Sequence, residues 1–155
     1  MSIEVSNESG VEVDVDGLAA LARYVLDALT IHPQAELSIL LMDDEAMSAL
    51  HERWMDEPGP TDVMAFPMDE LRSPRDDAEP EPGLLGDVVI CPQVALRQAQ
   101  AARHGFADEL DLLCTHGILH LLGHDHYEPE EQREMFGLQA RLLAGWQGAR
   151  SGEPS

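Results

Sequence analysis

The feature that most constrains the fold of this chain is a cluster of four histidines within the eleven residues 116–126, which read HGILHLLGHDH. Apolar residues fill most other positions of this segment, which predicts a helix that is buried on nearly all sides. His116 and His120 lie four residues apart, so they stand on one face of that helix, about 6 Å apart along its axis. Two buried imidazoles need polar partners. A shared metal ion would satisfy both rings, and we therefore predict a metal site here.

The third ligand of this predicted site follows the end of the helix. Gly123 is suited to the left-handed backbone conformation that ends a helix, so the chain can turn and place His126 under the same face. In a continued helix, the competing His124 would lie about 12 Å along the axis from His116, too far to share an ion at bonds of ~2.1 Å. We predict that His116, His120 and His126 bind the metal. Three imidazoles leave one position of a tetrahedral zinc ion open, as catalytic sites require, although other divalent ions also accept imidazole.

The same histidine spacing occurs in metzincin proteases, in which a glutamate follows the first histidine and acts as the general base. This chain has Gly117 at that position. Loss of that carboxylate ordinarily costs a hydrolase ~10²-fold or more. A zinc-dependent protease with metzincin-like spacing is therefore the alternative rather than the leading hypothesis.

Three motifs resemble the YbeY-type endoribonucleases, which are single-strand-specific enzymes of ribosomal RNA maturation and ribosome quality control. The histidine segment is similar to the family's H-G-x-L-H-L-x-G-Y-D-H, with His124 in place of the usual Tyr; residues 61–67, TDVMAFP, are similar to T-D-V-L-S-F-P, and residues 86–90 read GDVVI. The resemblance extends over most of the chain. It implies that His116, His120 and His126 hold one Zn²⁺ per chain.

The resemblance also implies a substrate and partners. The substrate would be single-stranded ribosomal RNA, near the 3′ end of the small-subunit RNA, and the partners would be the ribosome or ribosome-associated proteins. The metal would act on the phosphodiester as a Lewis acid or through its bound water. A third hypothesis is a non-catalytic ribosome-assembly factor that uses its metal only for structure.

The chain departs from the family at one position. Many members carry an Arg directly after an aromatic residue ahead of the T-D-V motif, whereas Met55 follows Trp54 here. Arg53 is a candidate substitute for that Arg, and Asp125 is a candidate for orienting a ligand imidazole. No general base is identifiable, and two further acids, Asp62 and Asp87, stay unassigned.

The charge of the chain opposes an RNA substrate. Thirty acidic residues face nine basic ones, all of them Arg, and the formal net charge is −21. Such a chain repels polyanions at long range, so RNA would have to be captured by a local basic patch or by the metal. No apolar run approaches the ~18 residues of a membrane span, and the N-terminus has no signal-like pattern, so we predict no membrane association and a cytoplasmic location. Cys91 and Cys114 are predicted to be buried thiols.

The order of elements predicts an α+β fold, with a mixed sheet of approximately four strands covered by about five helices. The chain should form one domain over 1–147, with an exposed acidic loop at about 69–83 and a polar C-terminal tail at 148–155. We predict strands at 3–5, 11–15 (a repeat of the same alternation, before Asp16 as a helix N-cap), 36–42, 61–66 and 84–90, and helices at 17–30, about 44–55, 92–104, 107–122 and 129–145. The metal site would lie on a helix in the C-terminal half and in the turn after it.

Overall fold

The computed structural model describes residues 2–31, 35–68, 84–124 and 128–151. In chain order, the described elements are β1 (Ser2–Glu8), α1 (Val15–Ala28), β2 (Glu36–Met42), α2 (Asp44–Met55), β3 (Val63–Pro67), β4 (Leu84–Ile90), α3 (Pro92–Ala102), α4 (Phe106–Leu121) and α5 (Pro129–Ser151). The α+β fold is confirmed. The predicted acidic loop at 69–83 lies outside the described residues. Among the helices of the described ranges, none has the length and apolar character that crossing a membrane requires.

The four strands form one mixed sheet in the order β1-β2-β4-β3. β2 pairs in parallel with β1 on one side and with β4 on the other, whereas β3 runs antiparallel to β4. Among the described strands, β3 therefore lies at the edge of the sheet, and its register pairs Val63 with Ile90 and Pro67 with Gly86. The prediction ended this strand before Pro67, but a proline is tolerated at an edge because its missing N–H does not break an inner ladder.

The predicted strand at 11–15 is wrong. β1 ends at Glu8, and the N-cap of α1 is Asp14 rather than Asp16, since the carboxylate of Asp14 accepts a hydrogen bond of 3.0 Å from the backbone N–H of Gly17. β1 and β2 are parallel neighbours, so the chain between them must leave the sheet and cross over through a helix. An alternation of valines and acids is as compatible with this connecting segment as it is with a strand.

Two hydrophobic clusters lie on opposite faces of the sheet. Along β4 the side chains alternate, so that Val88 belongs to the larger cluster, with α1, α4 and α5, and Val89 to the smaller one, with α2. The smaller cluster consists of Met47, Met64, Val89 and Cys91. Both Cys91 and Cys114 are buried free thiols, as predicted. Helix α4, which carries His116 and His120, therefore packs against one face of the sheet.

The last helix is longer than predicted. α5 continues to Ser151, past the predicted end at Gly145 and into the predicted tail, because Leu142 and Trp146 extend its apolar stripe against the core. Gly145 lies inside the helix, at a position where a side chain would collide with the hydroxyl of Tyr24 on α1. The close approach of α1 and α5 therefore explains a glycine that the sequence alone suggested to be a helix end.

Candidate metal centre

The candidate site is built around His116 and His120 on one face of α4. Their Nε2 atoms lie 3.0 Å apart, and their rings meet edge to face with centroids 4.5 Å apart. Two ligand atoms of a tetrahedral zinc ion, at bonds of 2.0–2.1 Å, are separated by about 3.3 Å. Because the observed separation is close to that value, the two rings fit a shared ion with a small rotation.

Gln139 of α5 fixes the orientation of the first imidazole. Its amide Oε1 lies 2.9 Å from Nδ1 of His116, and the Gln139 side chain is buried. An amide oxygen only accepts, so this contact places the proton on Nδ1 and leaves the lone pair of Nε2 directed toward His120. Metal-binding histidines commonly donate their second N–H to such an acceptor.

Sequence reasoning missed Gln139, although a signal was present. Met135, Gln139 and Leu142 form the buried stripe of α5 at helical spacing. A polar residue in an apolar stripe needs a hydrogen-bond partner, and here that partner is a predicted metal ligand.

Phe136 of α5 covers one side of the same imidazole. Its ring is stacked on His116 at an interplanar angle of 17° and a centroid distance of 6.0 Å. The hydrogen bond from Gln139 and the stacked ring together hold His116 in one rotamer. Such preorganisation of a ligand by its neighbours is what a precise metal site requires.

Helix α4 ends at Leu121, and Gly123 supplies the left-handed turn after it, as predicted. This residue has a φ of +93°, its N–H donates to the carbonyl of His120 at 3.1 Å, and the N–H of His124 donates to the carbonyl of Leu119 at 3.0 Å. These two bonds form a Schellman motif, which reverses the chain at the end of a helix. The chain therefore changes direction directly after the histidine pair.

Two predicted site residues, His126 and Asp125, lie outside the described residues. In the described ranges, no group of three metal-ligating side chains occurs, and the structure brings together two of the three predicted ligands, His116 and His120. Imidazole nitrogen is a common zinc ligand in proteins, and one of these two adjacent rings has its tautomer set by an acceptor behind it. The residues present fit the predicted metal.

Gly117 has a packing function at the position where metzincins carry a glutamate. A Cβ atom on Gly117 would lie 2.7 Å from Cγ1 of Val88 and 3.2 Å from Cγ2 of Val63. These distances are below van der Waals contact, so the absence of a side chain allows α4 to lie directly on β3 and β4. The chain lacks both the general base at this position and the space for one, which disfavours the protease hypothesis.

The candidate Arg53 does not contact the histidine pair. It lies in the last turn of α2, with its Cζ atom 5.9 Å from the centroid of the Trp54 ring. Met55, at the position of the family Arg, ends the same helix and is largely exposed. The substitution of Arg53 for the family Arg at the metal therefore has no support in the described contacts.

Asp62 has a structural position. Its Oδ1 accepts a hydrogen bond of 2.7 Å from the N–H of Val63, and its Oδ2 accepts one of 3.3 Å from Gln98. These bonds fix the first residue of β3. Asp87 lies within β4, opposite Phe66 of β3. Neither acid contacts the histidine pair among the described interactions.

Another ionisable group of α4, Asp111, is buried in a separate cavity. Its Oδ2 makes no hydrogen bond, although Nη1 of Arg150 lies 3.6 Å away. Burial raises the pKa of the Asp111 carboxyl from its ordinary value of 3.8 to about 6, and the charge of Arg150 opposes this shift. The cavity has a volume of about 270 Å³, and its walls include Leu18, Phe106, Leu110, Asp111, Trp146 and Arg150.

This raised pKa predicts a pH-dependent stability. The folded chain binds the Asp111 proton more tightly than the unfolded chain, so the free energy of unfolding falls as the pH rises from about 4 to about 6. We expect Asp111→Asn to stabilise the protein above pH 6, by at most about 3 kcal/mol, and to have little effect near pH 4. Thermal unfolding of both proteins from pH 4 to pH 8 measures this difference. A difference in stability between the two proteins that stays the same from pH 4 to pH 8 would contradict the role assigned to Asp111.

Comparison with known proteins shows the family to which the chain is related. A sequence profile described as Endoribonuclease YbeY matches residues 3–147. Endoribonuclease YbeY of Thermobifida fusca is 68% identical over 146 residues, which cover 94% of each chain. Endoribonuclease YbeY of Beutenbergia cavernae is 70% identical over 143 residues, which cover 92% of this chain and 95% of the relative.

The fold is also similar to that of a Thermotoga maritima protein of known solution structure. The two superpose with a TM-score of 0.64 over 98% of this chain and 93% of the other, at 23% sequence identity. At this level of identity, the likeness supports the fold alone.

Proposed function

This chain belongs to the Endoribonuclease YbeY family, and from that premise we propose that it is a metal-dependent endoribonuclease that cleaves single-stranded ribosomal RNA during its maturation. The names of its relatives support a nuclease activity. The observation that carries the metal dependence is the 3.0 Å approach of the Nε2 atoms of His116 and His120, with Gln139 behind the first ring. The proposed metal is Zn²⁺, held by His116, His120 and His126.

The residues of the chain position the reacting groups. When bound, zinc supplies Lewis-acid chemistry at a phosphodiester and activates water. Gln139 accepts a hydrogen bond from Nδ1 of His116, so Nε2 is the ring nitrogen that would bind the metal. Phe136 restricts the rotation of the same ring. We propose that the protein contributes orientation and electrostatics to the reaction more than proton transfer.

The proposed substrate must overcome the formal net charge of −21. Long-range electrostatic attraction cannot collect RNA on such a chain, so short-range contacts must supply the affinity. The proposal therefore includes capture on the ribosome, where the RNA is presented at high local concentration. Ribosomal RNA and ribosome-associated proteins are the proposed partners.

A substrate panel tests this function. We expect the zinc-loaded protein to cleave a single-stranded fragment from the 3′ end of small-subunit ribosomal RNA, to cleave the same fragment slowly when it is paired in a duplex, and to leave an unfolded protein intact. Gel analysis of the products and a measurement of bound metal give the result. Cleavage of the unfolded protein without cleavage of RNA would favour the protease, and cleavage of neither substrate in the presence of bound metal would favour a structural metal.

A further inference from the structure

An exposed aromatic side chain stands at the end of α2, outside the candidate metal centre. Trp54 is 51% exposed and Met55 is 57% exposed, which makes them the two most exposed large apolar residues in the described ranges. The indole of Trp54 meets Phe66 of β3 with ring centroids 5.7 Å apart and an interplanar angle of 67°. An edge-to-face contact of this kind leaves at least one face of the indole uncovered by Phe66.

The chain around Trp54 is held in place on both sides. Phe66 belongs to the sheet and packs against the smaller hydrophobic cluster. His51, one turn before Trp54, lies with Nδ1 2.9 Å from the carbonyl of Gly59 and Nε2 3.3 Å from the carboxylate of Glu57. These contacts tie the loop after α2 back onto the helix. Trp54 is therefore presented on a rigid support, which lowers the entropic cost of binding a flat ligand.

We propose that Trp54 is a stacking platform for one base of single-stranded RNA, with Arg53 beside it. This inference rests on the proposed ribonuclease function, since it names how that substrate is held. Single-stranded nucleic acids are commonly bound by stacking their bases on aromatic rings, with arginine contributing near the ring. The guanidinium of Arg53 lies over the Trp54 ring, with its Cζ atom 5.9 Å from the ring centroid.

The edge strand β3 lies between the platform and the histidine pair. Val63, at one end of β3, faces α4 at Gly117, and Phe66, three residues later, packs on the opposite side of the sheet beneath Trp54. Strand residues rise by about 3.3 Å each, so these two points of β3 are about 10 Å apart along the strand. Among the described strands, none pairs with the outer side of β3. The proposed path of the RNA from the platform to the metal centre runs around this edge.

The charge around Trp54 favours a base over a phosphate group. Two acids, Glu52 and Asp56, lie within two residues of Trp54 in the sequence, and the net charge of −21 repels a phosphate at long range. Stacking does not depend on phosphate charge, and every base has a π face. Stacking can therefore supply binding affinity that long-range electrostatic attraction cannot, because the formal net charge of the chain is −21.

The size of the patch disfavours a protein partner. The exposed apolar surface consists of parts of two side chains, Trp54 and Met55. A stable protein interface buries about 800 Å² on each partner. One base on one indole matches the available surface better.

Fluorescence titration with single-stranded RNA tests the platform. The chain has two tryptophans, Trp54 and Trp146. We expect RNA to quench the fluorescence of the protein, measured in His116→Ala protein so that the RNA stays intact. The same titration with Trp54→Phe should show little quenching, because only Trp146 remains. In direct binding, Trp54→Ala should raise the Kd for RNA about 5- to 150-fold, the range expected for one stacked base, and Trp54→Phe should raise it less.

Leu96 provides a matched control, because it is 39% exposed on α3 and has no part in the platform. Leu96→Ala should bind RNA as the parent protein does. An unchanged Kd for Trp54→Ala, with normal cleavage by the parent protein, would overturn the platform alone. Loss of self-association in Trp54→Ala, with RNA binding unchanged, would also overturn it and identify a contact between two copies of the chain. Quenching through Trp54 without cleavage by the metal-loaded parent would overturn the ribonuclease function and not the platform.

Discussion

Replacing His116 with alanine is expected to abolish RNA cleavage and to remove most of the bound metal. The side chain supplies one of the two described imidazoles whose Nε2 atoms lie 3.0 Å apart. Loss even of a partner behind a metal-binding histidine commonly costs 10- to 100-fold in affinity or activity, so loss of a ligand should cost more than ~100-fold. Metal content by mass spectrometry and cleavage of single-stranded RNA are measured on the same preparation.

Gln139 provides a graded comparison for this variant. Gln139→Leu removes the acceptor of His116 Nδ1 while keeping an apolar side chain in the buried stripe of α5. We expect its zinc affinity, measured by competition with a chelator, to fall ~10- to 100-fold, whereas Gln139→Glu keeps an acceptor and should retain most of it. His104 lies before α4 and contacts Glu109, so His104→Ala is the matched histidine control and should keep its metal.

One result for His116→Ala would contradict a catalytic role for the metal. RNA cleavage by His116→Ala at the rate of the parent protein, with its metal lost, would show that the metal is not needed for the reaction. Thermal unfolding of each variant excludes a general loss of folding as the cause of an inactive protein.

Of the variants considered, those at Gly117 are expected to lose the most stability. An alanine Cβ would lie 2.7 Å from Cγ1 of Val88, and such overpacking typically costs about 1–3 kcal/mol. In an exposed helix, the same change from glycine to alanine would instead stabilise by up to about 1 kcal/mol. Gly117→Glu adds a charged group between α4 and the sheet, so we expect more than about 4 kcal/mol of destabilisation and little folded protein. Denaturant unfolding measures the alanine variant, and the soluble yield reports on the glutamate variant.

A second glycine separates packing from helix propensity. Gly137 lies in α5, where an added Cβ would have only the end of the Arg141 side chain within 4 Å, at 3.8 Å. We expect Gly137→Ala to be neutral or stabilising. In the double variant, Val88→Ala should make room for the added Cβ and so recover part of the stability that Gly117→Ala loses. If the two glycines respond alike to alanine, the close contact of α4 with the sheet does not explain Gly117.

Most of the secondary structure follows from local patterns. The strands Glu36–Met42 and Leu84–Ile90 and the helix Asp44–Met55 agree with the predicted bounds, because a β-branched or apolar run and an N-cap are properties of neighbouring residues. The error at 11–15 has a different origin. That segment alternates like a strand, but the parallel pairing of β1 with β2 requires the chain to leave the sheet there.

The sequence by itself determined that His116 and His120 share one helix face and that the helix ends at Gly123, because helical periodicity and the left-handed conformation of glycine act within a few residues. Only the tertiary structure decided what surrounds them. Gln139 reaches His116 from 23 positions away, and Gly117 is needed because Val88 and Val63 lie beneath it. Such contacts depend on how α5 and the sheet pack against α4. The helical spacing of α5 indicates that Gln139 needs a polar partner, but only the packing of the helices decides that this partner is His116.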